Sequence, residues 1–409
     1  MKSFIKSRGV RSSCFKAFLV LFIFSVVPLK AQQLVFSPSQ AGVYKKRTVF
    51  NLRIKENNLY KGSVYREIRE KYSLVSEEKS VKIFSGISWI FEELKNEGRD
   101  KARKVDHTID GSFSLSPDGS IKRAEGSSFP FLTGFPVYPS GSSVKQGQLW
   151  TSTGDMLVDP LKKGIYTKVE FICQYKYDGI TRFKGLDVYQ VSAQFAIRYK
   201  KGDDFEGDKE LLDISGSHKA VIYLTAEEGL PYFIQDNIDE TYRYAGLTYS
   251  QKGFSHTWYS DVIPMKKDAV KEEITLALKE SGLEGDGYSV EEKGDGVSLT
   301  VNKLHFVPDS AELLPGEEDK IKTIAGVLLK IPERTFLVTG HTADVGTAQS
   351  QLELSVKRAQ KIAQMLAMNG IAPDKLIFTG KGGTEPASGN SSEEGRAKNR
   401  RVEIIILED

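Results

Sequence analysis

Between residues 33 and 262 apolar and polar side chains alternate along the chain. In "VYQVSAQFAIRYK" (188–200), Tyr189, Val191, Ala193, Phe195, Ile197 and Tyr199 interleave with Gln190, Ser192, Gln194 and Arg198. A period of two marks a strand with one buried face. Similar runs occupy 45–57, 78–91, 167–179 and 218–229, and clusters such as "SPDGS" (116–120), "YDG" (177–179) and "EGDKE" (206–210) predict turns between them. The segment 129–150, with aromatics set among prolines and glycines, reads as a loop crossing between sheets. The charge-dense stretch 67–80 reads as a solvated strand face. Long antiparallel strands with one apolar face predict a sandwich or a strongly curved, partly closed sheet.

The same alternation is compatible with a transmembrane barrel. Against that reading, 56–80 carries charge on both faces and 225–244 is broken by charges and a proline. A Lys or Arg facing lipid near the bilayer midplane costs ~2–4 kcal/mol. A domain outside the membrane is the better expectation.

At Pro264 the period changes. Residues 266–282 predict a helix with Val270, Ile274, Leu276 and Leu278 mostly on one face, stopped by Gly282. A hairpin follows over 288–306, turning at "KGDG" (293–296). Then come a helix (315–331), a strand (335–342), a helix (348–369), a strand (375–381), an irregular polar loop and a strand (401–407). Strands alternating with amphipathic helices at this spacing predict a small α/β layer domain. The whole is expected to be an α+β multidomain chain, with a β-rich domain over 32–263, a helical linker or extension over 264–289 and the layer domain over 290–409.

The first 31 residues differ from all of this. Lys2, Lys6, Arg8, Arg11 and Lys16 precede "AFLVLFIFSVVPL" (17–29), and small Ala31 follows. This is the order of a cleaved secretory signal; thirteen apolar residues fall short of the ~20 needed to span a bilayer as a helix. The segment holds six of the 57 Lys and Arg and none of the 54 Asp and Glu, so the remainder is three charges negative. A nearly balanced chain gives no electrostatic case for nucleic acid or a polybasic membrane surface. Of the two cysteines only Cys173 lies beyond the signal, so the exported chain has no internal disulfide.

The helix after Gly346 has an unusual stripe. At about 100° per residue, Gln351, Ser355 and Arg358 fall within roughly 60° of one another, and Ile362 and Leu366 continue that face. A buried stripe is normally apolar throughout; this one starts polar. Side chains lean towards a helix's N-terminus, so Arg358 is expected to reach back to "HTADVG" (341–346). There it would meet free helical N–H groups and make a site for carboxylates. The competing reading is a solvated arginine, or one paired with Glu353 or Asp344.

The string "GHTADVG…LSVKRAQ", followed by "GIAPDKLIFTGKGGTEP" (370–386) and "GRAKNRRVEI" (395–404), resembles the OmpA-like C-terminal domain family, as does "LHFVPDSAELLP" (304–315). The resemblance covers about 290–409. It implies a βαβαβ two-layer fold in a cell-envelope protein that binds peptidoglycan non-covalently, in the periplasm or at the outer membrane. The family holds the diamino acid of the wall's stem peptide with the Asp of G-H-T-D-x-x-G and the Arg of L-S-x-x-R-A. The arginine carries over to Arg358. Ala343 stands in the acid's place with Asp344 beside it, and Gln351 replaces the usual Asn. Asn399 and Arg400 match the family's N-R-R; Thr342, Leu354 and Asp309 complete the implied site.

That altered acid weakens or retunes binding, because neighbours in an extended segment point to opposite sides. Asp344 would then miss the ligand's ammonium unless a kink in the loop swings it back.

Other motifs add little. "GKGGT" (380–384) lacks the G-x-x-x-x-G-K-[ST] spacing of a phosphate loop. The five histidines show no paired metal-ligand spacing, and His341 is expected to be a structural hydrogen-bonder. Trp89, Trp150 and Trp258 are expected in the core or at its rim. No catalytic residue, cofactor or metal is expected. Peptidoglycan is the expected partner, with the outer membrane or envelope proteins as candidates for the β domain. Two alternatives are an outer-membrane barrel tethered to the wall and an envelope hydrolase acting through the β domain.

Overall fold

Alternation does build the first half of the chain, but into one sheet. A computed structural model describes residues 34, 36, 42–94, 102–139, 143–260, 266–283, 287–293, 296–302, 304–331 and 334–407; the predicted signal segment lies outside them. The strands are β1 (Val43–Glu56), β2 (Leu59–Glu78), β3 (Val81–Leu94), β4 (Arg103–Lys104), β5 (His107–Leu115), β6 (Ile121–Arg123) and β7 (Leu132–Thr133). The meander continues with β8 (Leu149–Val158), β9 (Thr167–Phe183), β10 (Leu186–Lys200), β11 (Leu211–Thr225), β12 (Pro231–Tyr244) and β13 (Leu247–Ser260). All but β4 join one twelve-stranded sheet in the order β6-β5-β3-β2-β1-β13-β12-β11-β10-β9-β8-β7.

The two ends of that order are tied by side chains. Arg123 on β6 donates to the Pro130 carbonyl (2.8 Å) and to Asp155 Oδ1 on β8 (2.7 Å), and Thr133 on β7 donates to Asp155 Oδ2 (2.7 Å). The sheet is therefore curved and nearly closed, and the strands of 43–260 other than β4 do not divide into two sheets of a sandwich. The described residues of 129–150 do not cross between sheets. It brings Phe129, Phe135 and Tyr138 against the inward rings of the strands, with Phe129 stacked on Tyr72 at 5.9 Å.

Burial along the strands follows the alternation. On β9, Val169, Phe171, Cys173, Tyr175 and Tyr177 are buried while Lys168, Glu170, Gln174 and Lys176 are exposed. On β12, Ile234, Ile238, Tyr242 and Tyr244 are buried and Gln235, Asn237, Asp239 and Arg243 are exposed. Apart from exposed Ile172 and Phe254 and an aromatic group around Phe233 and Trp258, the outward face is largely polar, unlike the continuous apolar exterior a lipid-facing barrel needs. The interior also holds charge. His218 lies between Asp236 (2.6 Å) and Glu240 (2.9 Å). Burial opposes the imidazolium, but those hydrogen bonds prevail and raise its pKa to about 10.

The second half forms α1 (Lys267–Glu280), β14 (Tyr288–Lys293), β15 (Gly296–Val301), α2 (Glu317–Leu328), β16 (Phe336–Gly340), α3 (Ala348–Met368), β17 (Leu376–Gly380), α4 (Glu393–Asn399) and β18 (Val402–Leu407). The predicted elements are present within a few residues; α4 replaces part of the predicted irregular loop. The sheet order is β14-β15-β18-β16-β17-β4, so a short strand from the first half of the chain pairs in parallel with β17. Helix α1 packs as an extension of the layer domain. Its Ile274, Ala277 and Leu278 are buried in the same core as Ile321, Ile324, Val338, Ile362, Leu366 and Ile404.

That core covers one face of the sheet. The other face, Leu337, Ile377, Ile405 and Leu407, packs on Trp89 and Phe91 of β3 with Val105 between. The two layers expected of the C-terminal domain are thus backed by a third, the β3 wall of the first sheet, and β16 and β18 are buried at every residue. The junction also corrects the reading of 67–80 as solvated over its first half, 67–72, while 75–80 are exposed as expected. Glu67 is fully buried, accepting from Arg47 Nε (2.8 Å), Arg69 Nε (2.6 Å), the Tyr65 hydroxyl (2.8 Å) and Arg103. Glu70 and Lys71 are buried too.

Candidate functional site

Helix α3 starts cleanly because Thr347 caps it. Its side chain accepts from Ser350 N, and Ser350 returns a bond to the Thr347 backbone. The loop before it, 341–346, leaves β16 and turns at Gly346 (φ +89°). Facing its first turns is a tight hairpin over 306–313, closed by Val307 N donating to Glu312 O (2.7 Å) and by a bridge between Phe306 and Leu313. Asp309, at its tip, has φ +53°, a conformation that Asp tolerates better than most residues.

Between hairpin and helix lies a cleft of about 850 Å³. Asp309, Ser310 and Glu312 form one wall. Thr342, Gln351 and Leu354 lie at the N-terminal end of the other, and Lys357, Lys361 and Gln364 continue it along α3.

Glycines let α3 sit this close to the sheet. A Cβ on Gly380 would come within 2.3 Å of Ser355 Oγ, and one on Gly383 within 2.6 Å of Gln351 Oε1. That close approach gives "GKGGT" a packing role.

Arg358 is the buried member of this arrangement, at 6% exposure. It does not turn to 341–346 as predicted. Its Nε donates to the Ser310 carbonyl (3.0 Å) and its guanidinium lies over the Phe306 ring, 4.7 Å from the centroid. Among the described residues no carboxylate forms an ion pair with it. Burial lowers its pKa below the usual arginine value, Arg400 lowers it further and Asp309 works the other way. A buried cation without an anionic partner is costly unless a ligand supplies one.

The remaining residues expected at the site divide. Asp309, Thr342, Gln351 and Leu354 line the cleft. Thr342 Oγ1 is buried and lacks a hydrogen-bond partner among the described residues. Gln351 is spent locally: Nε2 donates to Asp344 Oδ1 (3.0 Å) and to the Gly346 carbonyl (3.3 Å), and Oε1 accepts from Gly383 N (3.1 Å).

Ala343 is buried and Asp344 exposed. Asp344 does not line the cleft; its carboxylate is drawn to Gln351 and its N–H donates to Asn390 Oδ1 (3.1 Å). Asn399 is also otherwise employed, accepting from Ala387 N (2.8 Å) and Ser388 N (2.9 Å) and donating to the Ser388 carbonyl (2.8 Å). Arg400 donates to Glu393 Oε1 (2.6 Å) and is near enough to Arg358 to disfavour its charge.

His341 departs from expectation. It is buried, neither ring nitrogen has a hydrogen-bond partner among the described residues, and Nε2 is 3.6 Å from Glu403 Oε1, beyond hydrogen-bonding distance. Burial, with Arg401 alongside, lowers its pKa to about 4. Sequence reasoning missed the hairpin residues Phe306 and Ser310 that hold Arg358. An aromatic followed by a short polar turn was their only signal.

Residues 305–400 match the sequence model of the OmpA family. The peptidoglycan-binding protein ArfA of Mycobacterium tuberculosis is 33% identical over 109 residues, 27% of this chain and 33% of its own length. Motility protein B of Helicobacter pylori is 36% identical over 168 residues, 36% of this chain and 65% of its own length. The matched segment is thus a third of the first of these relatives. Among solved structures, the cell wall anchor of the T6SS from Pseudomonas aeruginosa is 30% identical, covering 35% of this chain and 100% of that one, with a TM-score of 0.29.

Proposed function

Because residues 305–400 are a domain of the OmpA family, we propose that this chain is a non-catalytic envelope protein, periplasmic or associated with the outer membrane, that binds peptidoglycan reversibly through the α3 cleft. One observation carries the reading: Arg358 is buried against Ser310, which lines the open cleft, and among the described residues no carboxylate is paired to it. A stem-peptide carboxylate would supply the missing charge, and Thr342 Oγ1 a further hydrogen bond. The largely polar outward face of the large sheet favours a β domain beside the membrane over a barrel within it.

Binding is retuned at the ligand's ammonium end. With alanine at 343 and Asp344 tied to Gln351, Asp309 is the acid that lines the cleft nearest Arg358. Loss of one hydrogen bond to a charged group is worth ~1.5–3 kcal/mol, or roughly ten- to more than hundredfold in affinity.

The test is co-sedimentation with purified sacculi. The unmodified protein should pellet with the wall, Arg358→Ala should weaken binding at least tenfold, and Ala343→Asp should strengthen it. No binding by any of the three, or binding indifferent to Arg358→Ala, would reduce the domain to a scaffold.

A further inference from the structure

One row of paired residues crosses the outward face of the curved sheet. Tyr223 on β11 pairs with Phe233 on β12, Phe233 with Trp258 on β13 and Trp258 with Arg47 on β1. Arg47 then pairs with Arg69 on β2, and Arg69 with Trp89 on β3. At ~4.8 Å between strands the row is about 24 Å long, and it ends at the seam with the second sheet. Its aromatic half is thickened by Phe183, stacked on Tyr223 (4.4 Å) and Phe233 (5.3 Å), and by His256, 5.4 Å from Phe233. Phe233 is buried beneath these rings and Trp258 is half-buried, while Phe254 and Leu186 beside them are exposed at 37% and 46%.

The charge around this row has one sign. Lys184 lies over Phe183 and Phe233, 5.6 Å from each ring, and exposed Lys219 stands on the same face of β11 as Tyr223. At the other end Arg47 lies over Trp258 (5.6 Å), and it shares the one carboxylate of Glu67 with Arg69 and Arg103. The outward positions beside the row, over 219–225, 233–237, 254–258 and 45–51, hold no acid; Glu227 and Glu228 lie in the turn beyond β11.

Aromatic rings half sunk in protein and set among Lys and Arg match the chemistry of a membrane–water interface. Other occupants fit less well. Phe183 and Tyr223 cover each other's faces, with 9° between their planes, so they offer no free flat face to a sugar ring. A second copy of this chain placed two-fold on the row would bring two faces of the same charge together. We propose that the row is a docking surface for an anionic lipid bilayer. Phe254, Leu186 and the edge of Trp258 enter the headgroup layer, and Lys184, Lys219 and Arg47 meet lipid phosphates. The sheet is held against the bilayer rather than within it. This rests on the envelope reading above but not on the α3 cleft.

Flotation with phosphatidylethanolamine vesicles, with and without phosphatidylglycerol, tests this on the chain freed of its signal segment, whose apolar run would bind lipid by itself. The protein should float with the anionic vesicles, and less so as salt rises. A cation close to an anionic surface is worth roughly fivefold in affinity, so Lys184→Ala/Lys219→Ala should weaken binding about twenty- to thirtyfold. Phe254→Ser/Leu186→Ser should weaken it too, with the salt dependence retained. Tryptophan emission should shift to the blue on binding. Trp258→Phe should abolish the shift and keep the binding, because Trp89 is buried at the seam and Trp150 packs on interior rings.

Flotation with neither vesicle, equal flotation with both, or binding unchanged in the two double variants overturns the docking surface and leaves the wall reading standing. A dimer in sedimentation that Phe254→Ser/Leu186→Ser dissociates gives the face to a second copy and overturns it as well. Arg358→Ala should float like the intact protein whatever becomes of its binding to sacculi; loss of its flotation would overturn the assignment to this row. All four side chains replaced in the double variants are exposed, so those variants report on binding rather than folding.

Discussion

Replacing Glu67 with glutamine removes the carboxylate on which the junction between the two sheets converges. Arg47, Arg69 and Arg103 all donate to it, and Arg103 belongs to β4, the strand added to the second sheet. Glutamine keeps the shape and one acceptor oxygen but leaves three guanidinium groups close together in a partly dry space. Removing one partner of a buried ion pair costs about 3–5 kcal/mol. Arg47 is half-exposed and screened, which trims its share, so about 3 kcal/mol is expected at pH 7.

The pH dependence is equally definite. Burial alone would raise the Glu67 pKa, but Arg69, Arg47 and Arg103 override it and hold the carboxyl far below the usual range. A depressed folded pKa gives stability that is complete above the unfolded value of ~4.3 and falls as pH drops below it. Urea titrations followed through Trp89, buried at the same junction, would measure the gap between the two proteins. A gap under about 1 kcal/mol at pH 7, or one that stays constant down to pH 3, would refute the reasoning.

Two further outcomes follow from the strand that leads into the cleft. His341 has a folded pKa lowered to about 4, so the unfolded chain takes up its proton first, and stability should fall as pH drops from about 6.5 towards 4. His341→Gln should flatten that slope in a denaturation series across this range, and identical slopes would contradict the assignment. Gly340→Ala would place a Cβ 2.2 Å from the Ser355 carbonyl oxygen; it should cost about 1–3 kcal/mol, seen as a lower thermal midpoint, and an unchanged midpoint would mean α3 can move aside.

Local patterns were legible and their partners were not. The period of two placed the long strands, since burying one face requires it, yet the same period suits a sandwich, a closed sheet or a membrane barrel. What separates these is whether the outward residues meet water, lipid or another layer. Glu67 shows the difficulty: a glutamate among charges reads as solvated until Arg103, 36 residues on, comes to cover it.

Arg358 was singled out because a polar residue broke an apolar stripe, and that signal pointed to burial correctly. Its direction was misjudged because the Phe306 ring and the Ser310 carbonyl come from a hairpin about fifty residues earlier. The displaced acid was visible at Ala343 and Asp344, but its capture by Gln351 depended on the path of a loop that no spacing specifies.

Consecutive peptide groups in the 102–106 strap serve different masters: Val105 N donates to the Phe378 carbonyl (2.7 Å) and Asp106 N to that of Ile90 (2.9 Å). Sideways slip of one half past the other has to break both bonds and open the seam of Trp89 and Phe91. Stacked sheets are ~10 Å apart, so this stack acts as a spacer of fixed height. A load applied at the α3 cleft would be carried across that seam into the wall of the curved sheet by packed side chains rather than by the slack of a tether.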